Sequence, residues 1–342
     1  MNTTHAMTMW ESVKVLGLAF REQQAIVREA HAMAAEIVRT PADTPTGFEV
    51  SLEPAPSGVL PTLRRNLFST LFLSTYHVLE ITPERRHLYA SLNYLFRIWV
   101  TSADNLLDLE DKVTLPIRMP GQSRVMRQVV AIMAADRMLT RLLTNAVTAR
   151  QITTAEAAIL SESSLQVLLP SAAQEATEEG GILHRPRPEY VLGTIHRLKT
   201  GMLFHLPFLG PERIESNVDQ RKLTALKEAL MSFGIGCQIL DDIRDMARDH
   251  RERRHNYILS ILQWHADPFS HALDQRQPAV EERLHPEIPH VVLPAARLAM
   301  QHLCTGLHAM SREGLNLKPS SINTMAGALF DTLDLSDLCH AL

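Results

Sequence analysis

Residues Gly234 to Asn256 read GIGCQILDDIRDMARDHRERRHN, and the spacing of their acids decides the fold. On a helix turning about 100° per residue, Asp241, Asp245 and Asp249 fall within roughly an 80° arc, with Asp242 on its border. Like charges at i,i+4 repel by about 0.2–0.5 kcal/mol per pair in an isolated helix, so the stack is unfavourable unless a cation sits on that arc. Alone, the pattern also fits a solvated helix face. A second cluster answers it: in SADNLLDLEDK, Ser102 to Lys112, Asp104, Asp108 and Asp111 lie within roughly a 60° arc while Glu110 points elsewhere. Carboxylate oxygens are the hard ligands that Mg2+ prefers, one or two per ion, with water and phosphate oxygens completing the octahedron. Two such clusters facing each other would hold a diphosphate through Mg2+ bridges.

The chain of 342 residues is 45% hydrophobic, enough for a substantial core, and reads as one body, residues 62–342, preceded by an N-terminal helix and connector over residues 1–61. A net charge of −4 with Lys and Arg scattered provides no basic stripe for nucleic acid. Cys237, Cys304 and Cys339 stand far apart with no CxxC pair, which argues against a disulfide framework or a zinc site. The apolar run VLGLAF near the N-terminus is too short for a signal peptide, and no run approaches a membrane span, so a soluble, cytoplasmic protein is expected.

Apolar residues recur at helical spacing along most of the chain, without strand-type alternation, which predicts an all-α fold. The first helix spans about Met9 to Val38, as a flap or a packing arm. Five prolines between Thr40 and Pro61 make a connector. Helices follow at about Thr62–Leu79 and, from the Thr82-Pro83 start signal, Pro83 to Asp111. Further helices are expected at Gln122–Arg150, at Thr153–Glu178 with a bend or break at Pro170, and from Pro188 to before Pro211. Val218 to about Arg253 reads as one helix of about 35 residues, with Gly234 and Gly236 marking a kink or a close approach. Asn256–Trp264, Ile288–Arg312 and Ser320–Leu338 complete the set.

Long apolar helices tipped with carboxylates describe a bundle around a deep apolar cavity with a metal-lined mouth, suited to a substrate with a hydrocarbon tail and a diphosphate head. Mg2+ would neutralise charge on the departing diphosphate, and Arg or Lys would hold its other oxygens. The candidates are Arg197 and Lys199 in HRLKTG, and Arg248, Arg251, Arg253 and Arg254. Each of these, taken singly, also fits a solvated surface charge; Lys199 stands out because an apolar face follows it. Phe96, Trp99, Phe204, Phe208 and Phe233 could stabilise an allylic cation. Tyr89, Phe96, Trp99 and Val100, one or more turns before Asp104, could line the wall for the tail, or pack as plain core.

QILDDIRD, Gln238 to Asp245, resembles the second aspartate-rich motif of the trans-isoprenyl diphosphate synthases. DNLLD, Asp104 to Asp108, is similar to their first, and Lys199-Thr200 to their Lys-Thr pair. AIMAADRML, Ala131 to Leu139, resembles another of their stretches. The resemblance covers roughly residues 55–265. It implies the isoprenoid-synthase bundle and a prenyl diphosphate substrate, with Mg2+ as cofactor, about three ions being expected. Asp104, Asp108 and Asp241 become direct ligands, with Asp242 and Asp245 near them. Lys199, Thr200 and Gln238 surround the diphosphate, Arg197 and Arg254 remain substrate-binding candidates by their charge, and a homodimer is expected.

The chain also departs from that pattern. Asn105 stands where the second Asp of the first motif is usual, and the Arg-Arg-Gly that follows is missing, with only Arg118 loosely placed. The Gly-Gly-Lys-Arg that binds the acceptor diphosphate is absent, Arg64 and Arg65 being the nearest substitutes. A terpene synthase that ionises an allylic diphosphate and then cyclises or rearranges it is therefore the expectation. Chain-elongating prenyltransferase is the alternative. RDMARDHRERRHNYILS, Arg244 to Ser260, resembles the second motif of squalene and phytoene synthases, so head-to-head coupling is another. A non-catalytic partner subunit stands further off, because such a subunit has little need of metal ligands.

Overall fold

The structure, a computed structural model, describes residues 14–54, 59–108, 110–276 and 278–342, and only the backbone of residues 59–65. The side chains of Arg64 and Arg65 and the first turn expected from Met9 lie outside what is described. The fold is all-α. One unforeseen antiparallel pair, Ser51–Leu52 (β1) with Ile117–Arg118 (β2), ties the proline-rich connector to the later loop. Among the described residues its Arg118 meets the Ser51 hydroxyl, at 3.4 Å.

Contacts gather into two compact units. One contains α1 (Lys14–Ile37), α2 (Val59–Val78), α3 (Pro83–Leu107), α4 (Arg124–Thr148) and the start of α5 (Thr154–Ala176). Helix α1 buries Leu16, Ala19, Gln23, Ile26, Ala30 and Ala34, a stripe at three- and four-residue steps that packs on α2, α3 and α4. It is a packing arm. The Arg86 guanidinium grips Glu22 with two bonds of 2.9 Å, and His77 adds a third contact at 3.1 Å. Helix α4 starts where Ser123 accepts from Met126 N, and α5 where Thr153 and Glu156 cap each other. Pro170 lies within α5, which continues to Ala176.

The second unit takes Leu165–Phe208 and Asp219–Leu342. The segment 188–201 (α6) begins as an α-helical turn at Pro188–Tyr190 and continues as two wide i→i+5 turns, Val191–Ile195 and Arg197–Gly201. Next come α7 (Gln220–Arg244), α8 (Met246–Glu252), α9 (Tyr257–Trp264), α10 (Pro268–Arg276), α11 (Pro289–Met310), α12 (Pro319–Thr332) and α13 (Ser336–His340). Helix α10 was not expected from the sequence. Helix α7 packs along α11 at close range: a Cβ on Gly236 would meet Leu303 Cγ at 2.8 Å and the Ala299 carbonyl at 2.9 Å. A Cβ on Gly234 would meet the Phe204 ring at 2.9 Å. The two glycines mark a close approach rather than a kink. Among the described residues α7 is the one helix long and apolar enough to cross a membrane, and two thirds of its apolar window is buried in the fold.

Three expected helices are shorter than their periodicity suggests, the last of them, Ser320–Leu338, being split into α12 and α13. The helix through the first acidic cluster ends at Leu107 instead of Asp111. The long helix through the second breaks at Asp245, whose φ of −97° and ψ of 12° separate α7 from α8.

Candidate active site

Helix α3 stops because a side chain takes over from the backbone. Asn105, buried, donates from Nδ2 to the Lys112 carbonyl at 2.8 Å and accepts from the Lys112 amide at 3.1 Å. This pair of bonds holds the backbone at Lys112 back against the helix end. Asp104 and Asp108 stay together, one turn apart and half-buried, with the Asp108 amide closing on the Asp104 carbonyl at 2.8 Å. Asp111 leaves the cluster: it is exposed and paired with Arg127 of α4 at 2.9 Å. Glu110 pairs with Lys112.

The second cluster separates into three kinds of carboxylate. Asp241 and Asp245 share the Arg244 guanidinium, at 2.8 and 2.6 Å, and Asp245 also takes Arg248. Asp242 points inward. Its Oδ2 accepts from His196 Nε2 at 2.9 Å and from the Tyr257 amide at 2.6 Å, and its Oδ1 from Gln238 Nε2 at 3.0 Å. Burial raises its pKa, but the His196 charge and these bonds outweigh burial and hold the carboxyl below its ordinary range. Asp249, beyond the break, accepts from Asn256 Nδ2 at 2.8 Å, the same nitrogen meeting the Asp242 carbonyl at 2.7 Å. Desolvation and then the Asp242 charge push the Asp249 carboxyl well above the usual carboxylate range. It does not join Asp241 and Asp245 as a third surface charge.

Around this helix, Thr200 donates to Gln238 Oε1, so Thr200, Gln238, Asp242 and His196 form one hydrogen-bonded chain between α6 and α7. Lys199 Nζ lies 3.0 Å from Glu175 Oε1. Desolvation disfavours its charge, but Glu178, Glu175 and Asp249 overcome that and push the pKa upward, so Lys199 is a firmly held cation. Arg254 approaches the same Glu175 at 3.8 Å. Arg197 is exposed. Phe204, Phe208 and Phe233 are buried, Phe204 and Phe233 with centroids 6.2 Å apart. Phe96 is buried, and Val100 and Trp99 half-buried. Trp99 donates to the Ile132 carbonyl of α4 at 3.1 Å, and Tyr89 donates to Glu215 at 2.6 Å. Both aromatic side chains therefore have polar anchors within their own unit.

Sequence reasoning missed His196, Asn256, Glu175 and Arg244. The signal for Arg244 was available, since a cation three residues after Asp241 lies within salt-bridge reach on a helix. His196 could not be seen, because the wide turns of α6 shift its phase.

Among the described residues no three His, Cys, Asp or Glu side chains gather into a ready metal site. The accessible donors are pairs, Asp104 with Asp108 and Asp241 with Asp245. Mg2+ takes one or two carboxylates and fills its octahedron with water and phosphate oxygens, so these pairs fit Mg2+ in company with a phosphorylated ligand. Asp242 does not fit, because it is buried and turned inward onto His196, the Tyr257 amide and Gln238; the Asp245 oxygens are also taken, by Arg244 and Arg248, which a metal would have to displace.

By sequence the chain matches no family model and no curated relative. By structure it is similar to octaprenyl pyrophosphate synthase from Helicobacter pylori, at 14% identity and a TM-score of 0.54 over 90% of this chain and 98% of that one. It is also similar to geranyltransferase from Legionella pneumophila (13%, TM-score 0.52, 97% and 99% covered). A third is polyprenyl synthase from Caulobacter crescentus in complex with calcium and isoprenyl diphosphate (14%, TM-score 0.51, 95% and 96%). The fold is that of the trans-isoprenyl diphosphate synthases, as the motifs led one to expect.

Proposed function

We propose that this chain is a divalent-metal-dependent enzyme that ionises an allylic prenyl diphosphate and transfers the allylic unit to a second prenyl diphosphate. One observation carries the reading: on the prenyl-synthase fold, two helices each end in an accessible i,i+4 carboxylate pair, Asp104/Asp108 and Asp241/Asp245. The similar structures, an octaprenyl pyrophosphate synthase and a polyprenyl synthase complexed with calcium and isoprenyl diphosphate, support it. Mg2+, when bound by these pairs, supplies Lewis-acid neutralisation of the departing diphosphate.

The chain's own residues have separable tasks. Asp104, Asp108, Asp241 and Asp245 hold metal. Arg244 and Arg248 occupy the second pair beforehand and are then available to diphosphate oxygens, for which guanidinium forks are well shaped. Lys199 offers a charge kept on by Glu175 and Glu178. Asp242, Gln238 and Thr200 position α7 against α6. A homodimer in the cytoplasm belongs to the same proposal.

A second reading, cyclisation or rearrangement of the ionised substrate, is favoured by the missing Gly-Gly-Lys-Arg and Arg-Arg-Gly stretches. Incubation of purified protein and Mg2+ with geranyl, farnesyl and geranylgeranyl diphosphates, with and without isopentenyl diphosphate, separates them. A longer diphosphate formed only with the second substrate supports transfer. Hydrocarbon or alcohol from the allylic substrate alone supports the cyclase, a coupled product without isopentenyl diphosphate supports head-to-head joining, and no turnover points to a partner subunit.

A further inference from the structure

The unit containing α6 to α13 has a cavity of about 620 Å3, within the range of small-molecule sites. Asp241, Asp245 and Lys199 do not line it. Its charged lining is mostly cationic, Arg185, Arg251 and Arg253 against the single carboxylate Asp274 among the described lining residues, with His250, Gln263 and Ser270 as further polar groups. Leu259, Leu262 and Leu273 supply an apolar wall.

The cations are not neutralised where they sit. Arg185 spends its guanidinium on backbone, donating to the Arg254 carbonyl at 2.7 Å and the Asp249 carbonyl at 3.5 Å. Burial lowers its pKa by more than the charges of Asp249 and Asp274 restore, the sign of an under-compensated cation. His250, 3.6 Å from Asp274, is pushed down by burial and then by the Arg185 charge. Arg251 and Arg253 are exposed and form no ion pair among the described residues. Arg253 is nevertheless held in place. It caps α8 in a left-handed conformation with φ of 56°, and its carbonyl accepts from the Ile182 amide at 2.8 Å. Gly181, at φ +76°, lets the loop approach so closely that a Cβ there would lie 3.0 Å from Arg253 Cβ.

We infer that this cavity binds a diphosphate group, separately from the metal-dependent carboxylates. Guanidinium forks match phosphate oxygens in geometry and charge, and the leucine wall suits a short apolar chain attached to them. The choice of diphosphate rests on the prenyl diphosphate reading; the cationic cavity does not. Inorganic diphosphate and a short prenyl diphosphate share this chemistry.

The test titrates inorganic diphosphate and isopentenyl diphosphate into the full-length protein in EDTA, by calorimetry. Saturable binding of at least one is expected without metal. The double variant Arg251→Gln/Arg253→Asn, at exposed positions and with an Asn tolerant of left-handed backbone, should weaken it about tenfold or more, while Asp241→Asn leaves it unchanged. Tighter binding of the isopentenyl compound seats its tail on the leucines, and equal affinity assigns the site to the diphosphate alone; either upholds the site. No saturable binding without metal, an unchanged affinity in the double variant, or loss of binding in Asp241→Asn overturns it. Turnover with Mg2+ is a separate readout: metal-free binding without turnover sinks the prenyl diphosphate reading and spares the cavity, and turnover without metal-free binding does the reverse.

Discussion

The carboxamide of Asn105 meets the backbone of Lys112 twice, donating to its carbonyl at 2.8 Å and accepting from its amide at 3.1 Å. A carboxylate could accept the amide but has no proton for the carbonyl. Asn105→Asp, which restores the residue usual in related motifs, should therefore lower stability by about 1–3 kcal/mol, the scale for a buried polar group left without its partner. Denaturant unfolding at pH 7 measures it. An unchanged or raised stability would mean that Asn105 is not what folds the loop back.

The metal role separates adjacent acids. Asp104→Asn and Asp241→Asn each remove a ligand charge and should cost activity by about a hundredfold or more. Glu110→Gln, which weakens a pairing with Lys112 and removes no proposed metal ligand, should stay within about threefold. Steady-state rates on farnesyl diphosphate with saturating Mg2+ decide, and equal losses in Glu110→Gln and Asp104→Asn would contradict the assignment.

If Asp241 and Asp245 hold metal as proposed, Arg244 competes for the same oxygens, since its guanidinium bridges both. In Arg244→Gln the half-saturating Mg2+ concentration should fall by about threefold or more, even if the maximal rate also drops through loss of a diphosphate contact. A Mg2+ titration of initial rates reads both. A higher Mg2+ requirement would show that Arg244 assists metal binding instead.

The grip of Arg86 and His77 on Glu22 predicts a pH dependence. Burial raises the Glu22 pKa, but Arg86 and His77 outweigh it, and the folded value lies below the ordinary 4.5. Such a group contributes stability that is complete above about pH 5 and is lost as pH falls through 4.5 and the lower folded value. Glu22→Gln should be less stable at pH 7 by about 0.5–1 kcal/mol, kept small because the carboxylate is a third exposed and screened. The gap to the natural chain should close towards pH 3. Chemical denaturation across that range checks it, and a gap that widens on acidification would reverse the sign.

How far the sequence could be read depended on which groups the backbone left in phase. The acid spacings marked both helix ends, and the apolar period located most helices. The spacing failed at Asp111 and Asp249, because the helices carrying the arcs stop at Leu107 and Arg244. What stops them is tertiary: Asn105 reaching Lys112, and Asn256 joining Asp249 to the Asp242 carbonyl. Trp99, read as either tail wall or core, proves tied to Ile132 of α4, a contact that no local pattern announces. Asp242 looks like its neighbour Asp241 in the sequence, and it is partners such as His196, 46 residues away, that distinguish a buried, inward-facing acid from its half-exposed neighbour.

The two wide turns of α6 have a consequence for how this protein can change length. Each holds one residue more than α-helical bonding requires, so later side chains are rotated by about 100° per extra residue relative to a regular helix begun at Pro188. With that offset, His196 and Thr200, four apart, meet Asp242 and Gln238, also four apart, in antiparallel order. The segment works as a vernier between two helices. A single-residue deletion within 191–195 should remove one of the two wide turns and turn both His196 and Thr200 about 100° out of phase with Asp242 and Gln238, whereas a deletion between His196 and Thr200 should disturb the Thr200 pair alone.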